Sequence, residues 1–261
     1  DGQMKRQFSE STSLFAFDVE TGKQLWKYDA VKSIRHNSIA IGAGRVHLID
    51  RRLATDDLLS RAAARRGDPP KTPAVGHPTG ELIALDAKTG KRVWKSDKDV
   101  FGTTLAFSKQ FDILLMFYQP TSFRLPSEVG GRIAAHNASE GYRLWEKKVN
   151  YRTRPLINEG TIVAHPSALD LATGDAKLMS VPKSYGCGQL SGSRNLLMFR
   201  SGTLGYYDFT RKAGTENFGG IRPGCWINAL PVGGLVLVPD ASAGCRCSYQ
   251  NRSWIALEGS N

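Results

Sequence analysis

The sequence predicts an all-β protein, a β-propeller of four-stranded antiparallel blades, and three observations carry that prediction. Short apolar runs alternate with turn residues along most of the 261 residues. One hairpin-like unit recurs, separated by irregular intervals. The apolar runs ILLMF (113–117) and GGLVLVP (233–239) have the length of core strands and fall far short of a membrane span.

The clearest copy of the unit is GELIALDAKTGKRVWKSDK, residues 80–98. ELIAL is a strand-length apolar run. Asp86 starts a turn because its carboxylate accepts backbone N–H groups just ahead of it. Gly90 takes the positive φ that closes a short bulged turn. KRVW then alternates polar and apolar, as a half-buried return strand does. Trp94 needs a wall to lie against, so the hairpin demands a neighbour.

The other copies supply neighbours. SLFAFDVETGKQLWKYD (13–29) places Asp18, Thr21, Gly22 and Trp26 in the same order. GRIAAHNASEGYRLWEKKV (131–149) carries Asn137, Gly141 and Trp145. HPSALDLATGDAKLM keeps Asp170, Thr173 and Gly174 but has Leu178 where the others have Trp. GTLGYYDFTRKAG keeps Asp208, and the turn after it reads as stretched. The aligned Asp/Asn positions are 68, 51, 33 and 38 residues apart, a constant unit with loops of variable length. A blade takes roughly 40–50 residues, so the chain holds five or six blades or forms part of a larger, eight-bladed ring. The opening DGQMKRQFSESTSLFAFD reads as entry into the middle of a blade, with the expectation that further segments lie upstream. No composition break divides residues 1–261, which read as one domain.

Residues 51–80, RRLATDDLLSRAAARRGDPPKTPAVGHPTG, interrupt the β pattern. Thr55 or Asp56 caps a predicted short helix with acids at its start and Arg65–Arg66 at its end, an order that suits the helix dipole. Gly67 stops it and Pro69–Pro70 make the exit extended. The insertion reads either as a docking arm or lid, or as a decorated surface loop.

The pattern A-x-D-x-x-T-G-x-x-x-W resembles the repeat of the PQQ-like β-propellers, which include quinoprotein alcohol dehydrogenases and outer-membrane assembly factors of the BamB type. The tail GIRPGCWINALPVGGLVLVPDASAGCRCSYQNRSWIAL resembles C-terminal segments of large PQQ-like repeat proteins of planctomycete-type bacteria. The resemblance covers nearly the whole chain and bears on fold more than on function. It implies a periplasmic or extracellular location. It also implies that a dehydrogenase of this kind would hold PQQ beside Ca²⁺, under a ring of adjacent cysteines. No Cys-Cys pair occurs here, since Cys245 and Cys247 flank Arg246.

The net charge of +11 is spread along the chain. It reads as a dispersing surface charge or as attraction to an anionic polysaccharide or envelope component. No nucleic-acid motif accompanies it. Cys187, Cys225, Cys245 and Cys247 read as two disulfides if the chain is exported, as a four-thiolate metal site, or as free buried thiols. The five histidines show no metal-binding spacing. The densest polar and aromatic segment, residues 199–228, gives a candidate pocket of Arg200, Tyr207, Arg222 and Trp226. In it Arg222 would clamp an anion and Trp226 stack a ring. The same side chains also read as blade packing, with Arg222 bracing a loop.

Three functions follow as expectations. The first is a non-catalytic binding or scaffold propeller in an exported or envelope complex, with a protein partner and no predicted cofactor. The second is a PQQ/Ca²⁺ quinoprotein dehydrogenase or a fragment of one, and the third is a carbohydrate-binding or carbohydrate-active propeller.

Overall fold

The computed structural model describes residues 10–51, 80–118, 131–179, 188–224, 229–241 and 251–259. The helix expected within 51–80 and all four cysteines lie outside the described residues. Every described element is a β-strand, and the strands form antiparallel sheets that follow one another in chain order. Contacts group them into two compact units, Asp1–Val149 with Ala172–Gly174, and Asn150–Leu171 with Asp175–Asn261.

The first unit opens with a five-stranded sheet: β1 (Glu10–Phe17), β2 (Gln24–Gly42), β3 (Arg45–Asp50), β4 (Gly80–Asp86) and β5 (Arg92–Val100). The long strand β2 serves two hairpins. Gln24 to Arg35 pair with β1, and Ile34 to Gly42 pair with β3. The β2–β3 turn places Ala43 and Gly44 at positive φ, the geometry of the tightest hairpins. Asp50, fully buried, caps the crossover by accepting the N–H groups of Val31, Lys32 and Ser33 at 2.6, 2.9 and 3.0 Å. The second sheet is β6 (Thr104–Ser108), β7 (Ile113–Phe117), β8 (Arg132–Asn137) and β9 (Arg143–Lys148). ILLMF is β7, buried along its whole length, as an apolar run without alternation requires.

The second unit holds three sheets. They are β10 (Leu156–Asn158), β11 (Thr161–Ala164) and β12 (Ser167–Asp170); β13 (Ser191–Gly192), β14 (Leu196–Ser201), β15 (Thr203–Asp208) and β16 (Thr215–Phe218); and β17 (Leu230–Val232), β18 (Leu235–Val238) and β19 (Ile255–Glu258). Pleating sends alternate residues of β14 to opposite faces. Leu197 and Phe199 join a cluster with Val163 and Leu190, while Met198 joins one with Leu204, Val236 and Val238.

The repeat motif has a physical reason at each position. Asp18 Oδ1 accepts from Thr21 N and Oγ1 at 2.8 and 2.7 Å, and Asp86 Oδ1 accepts from Thr89 N and Oγ1 at 2.8 Å each. These bonds hold both carboxyls below the usual aspartate range. Asn137 does the same work with one bond, from Glu140 N at 2.7 Å. The N–H of the residue four on closes the turn: Gly90 N donates to Asp86 O, and Gly141 N to Asn137 O, both at 2.8 Å.

Each motif Trp then lies on the glycine of the next repeat. A Cβ on Gly90 would stand 2.7 Å from Trp26, one on Gly141 2.5 Å from Trp94, and one on Gly174 2.7 Å from Trp145. All three glycines have positive φ, so both the backbone and the overlying indole exclude a side chain. The indoles also donate: Trp26 Nε1 to Ala87 O at 2.9 Å, and Trp94 Nε1 to Ala138 O at 3.1 Å. The wall that Trp94 demanded is the following hairpin.

The fifth copy departs from the sequence reading. Its turn is not stretched. Lys212 N donates to Asp208 O at 2.9 Å, just as Gly90 N donates to Asp86 O. Lys212 has φ +53° and so holds the place that glycine holds elsewhere. Register agrees, since Tyr206 pairs with Glu216 as Ala84 pairs with Trp94, each partner eight residues beyond the turn-starting acid.

Candidate functional site

Within the second unit a cleft of about 730 Å³ opens beside the fourth and fifth repeats. Lys177, Leu178 and Met179 form one wall, and Tyr207, Phe209 and Lys212 form another. The β10–β11 and β13–β14 turns complete it, tied together by Asn158 Nδ2, which donates to Ser193 O and Arg194 O at 3.0 and 3.1 Å. Lys177 is braced rather than loose. Its Nζ donates to Gly160 O at 2.9 Å and Thr161 Oγ1 at 3.1 Å and pairs with Asp170 at 3.1 Å. Tyr207 and Phe209 meet edge to face at 5.4 Å. Leu178 is fully exposed. The lining carries three cations, Lys177, Arg194 and Lys212, against one acid, Glu159, which pairs with Arg194 at 3.0 Å.

The structure separates two of the residues grouped as a candidate pocket. Arg200 shares its face of β14 with Met198, whereas Tyr207 packs with the Leu197 and Phe199 cluster on the opposite face. Tyr207 lines the cleft; Arg200 and Arg222 are buried. Trp226 lies outside the described residues. Lys177, Arg194 and Lys212 were missed from sequence. The signal for two walls was present, because Leu178 and Lys212 stand where the aligned motif has Trp and Gly.

In the first unit, buried polar groups serve packing. His47 lies 5.8 Å from Trp94 and 5.5 Å from Phe107, with Nε2 3.1 Å from Ala138 O. Burial pulls its pKa down, and burial aided by Arg143 pulls that of His136 down to about 4. Both rings are therefore neutral near pH 7. Arg51, fully buried, donates to Phe101 O at 3.0 Å and Gly102 O at 3.3 Å.

A PQQ-dependent reaction would need a Ca²⁺ site, and the described residues do not fit one. Among them no three His, Cys, Asp or Glu side chains gather closely enough to hold a metal. The fully buried carboxylate, Asp50, has both oxygens engaged by backbone N–H groups.

Successive antiparallel sheets joined by indole-on-glycine contacts define a β-propeller built of PQQ-like repeats. The chain belongs to the PQQ-like repeat family described as outer membrane protein assembly factor BamB, whose model matches residues 5–166. It is similar to BamB from Moraxella catarrhalis, with TM-score 0.50 and 16% identity over 88% of this chain and 62% of that one. It is also similar in fold to the Pan2 WD40 domain of Neurospora crassa, with TM-score 0.51 and 9% identity over 88% of this chain and 67% of that one. Among curated proteins it matches quinohemoprotein alcohol dehydrogenase ADH IIB of Pseudomonas putida, 36% identical over 81 residues. That match takes in 31% of this chain and only 9% of the dehydrogenase. No helix among the described residues is long and apolar enough to cross a membrane.

Proposed function

We propose that this propeller is a non-catalytic binding module that holds a protein partner within an exported or cell-envelope complex. The observation that carries the reading is the cleft of the second unit. It is wide, lined by three cations and aromatic edges, and holds one acid that is already paired. Those are the features of a recognition surface, in which aromatic anchors sit among charges that steer and orient. Membership of a family described as an assembly factor supports it.

The segment similar to a quinohemoprotein alcohol dehydrogenase gives a second reading, a quinoprotein oxidoreductase completed by further blades. One experiment separates them. The purified chain is titrated with PQQ and Ca²⁺ while tryptophan fluorescence and dye-coupled alcohol oxidation are followed. In parallel, native complexes are isolated from envelope extracts. The scaffold reading expects no saturable quenching and a stoichiometric protein partner retained in high salt. Saturable quenching with turnover would overturn it.

A further inference from the structure

Three consecutive junctions follow one rule: an indole eight residues after the turn-starting Asp or Asn covers the glycine of the next turn. At the junction of the fourth and fifth repeats both halves of that contact are replaced. Leu178 stands at the Trp position and is fully exposed, and Lys212 stands at the Gly position. The room that an indole fills elsewhere coincides with the cleft, which Leu178 and Lys212 both line. Phe209, which follows the acid, occupies the place of Ala87 and Ala138, whose carbonyls accept the indole N–H groups in filled junctions.

We propose that this vacated junction is a docking site for a partner's peptide segment that presents an aromatic side chain flanked by acidic residues. The inference rests on the binding-module reading and names the surface and the chemistry of its ligand. An incoming ring finds the apolar lining of Phe209, Tyr207 and Met179. Its acidic flanks meet Lys212, whereas Lys177 is already paired with Asp170 and Arg194 with the lining acid Glu159. Lysine at a positive φ is an uncommon choice where glycine would be unstrained. At this turn it removes the seat for an internal indole and adds a cation beside the opening.

The test uses the full chain and a fluorescein-labelled peptide, Glu-Glu-Asp-Trp-Asp-Glu, read by anisotropy in about 150 mM salt, where long-range surface attraction is screened. Saturable binding is expected, at least about tenfold weaker for the peptide with Ala in place of Trp and for the exposed-turn variant Lys212→Glu. The double variant Leu178→Trp/Lys212→Gly refills the junction with the chain's own indole; it is expected to lose peptide binding while keeping its circular dichroism. Equal binding of the Trp and Ala peptides would reduce the site to a charged patch and overturn the proposal. Undiminished binding to the double variant, or no saturable binding to the original chain, would also overturn it. Self-association seen by sedimentation and lost in the double variant would assign the cleft to a second copy instead. If the double variant still captures the native partner, the binding-module reading stands and the cleft proposal falls.

Discussion

At the junction of the second and third repeats, Trp94 covers Gly141, donates to Ala138 O and lies tilted against His47. At the junction of the fourth and fifth, Leu178 projects into solvent and Lys212 sits in the glycine's backbone conformation. The turn itself survives in both places, started by Asn137 in one and Asp208 in the other and closed by the same hydrogen bond. The comparison teaches that the motif has two separable parts. The Asp–Thr bonds shape a hairpin locally, while the Trp–Gly pair joins one hairpin to the next.

The sharpest way to break that comparison is Trp94→Ala. It removes a large ring and a hydrogen bond from a filled junction, and a loss of about 3 kcal/mol is expected in urea unfolding. The matching change at the open junction, Leu178→Ala, should be nearly neutral, because an exposed leucine packs against little. A second contrast concerns pH. His136 has a folded pKa of about 4, below its unfolded value near 6.5. The unfolded chain therefore binds the extra proton first, and stability present above pH 6.5 drains away as pH falls toward 4. The expected loss is on the order of 3 kcal/mol, read as a drop in urea midpoint that His136→Gln should flatten.

Glycine substitutions give the next effect. Gly141→Ala combines φ +85° with a Cβ 2.5 Å from Trp94 and should cost about 2 kcal/mol. Gly214→Ala, at φ +91° in open space, meets only the backbone penalty of about 1 kcal/mol. A stabilising change sharpens the comparison from the other side. Leu178→Trp/Lys212→Gly should raise stability by about 1 kcal/mol, seen as a melting temperature a few degrees higher.

Much of this was legible in the sequence. The hairpins, the turn roles of Asp86 and Gly90, and the need of Trp94 for a neighbouring wall follow from residue chemistry at fixed spacing. Three things were not. The fifth turn reads as stretched because no glycine stands four residues after Asp208, and a lysine at positive φ carries no compositional signal. Arg200 and Tyr207 looked like one pocket because they are close in sequence. The pleat puts them on opposite faces, and face assignment requires knowing the hairpin's register. The cleft draws on three turns and the segment 177–179, whose proximity depends on sheet-to-sheet packing within the second unit, which no local pattern encodes.

The long strand β2 has a mechanical consequence. One uninterrupted run, Gln24–Gly42, is laddered to β1 over its first part and to β3 over its second. Tension applied at the amino-terminal hairpin passes along a covalent rod straight into the sheet that follows. In an optical trap, the first hairpin and that sheet should release in a single rip, and cutting the backbone near the bulge between Ile34 and Ile39 would split that event into two.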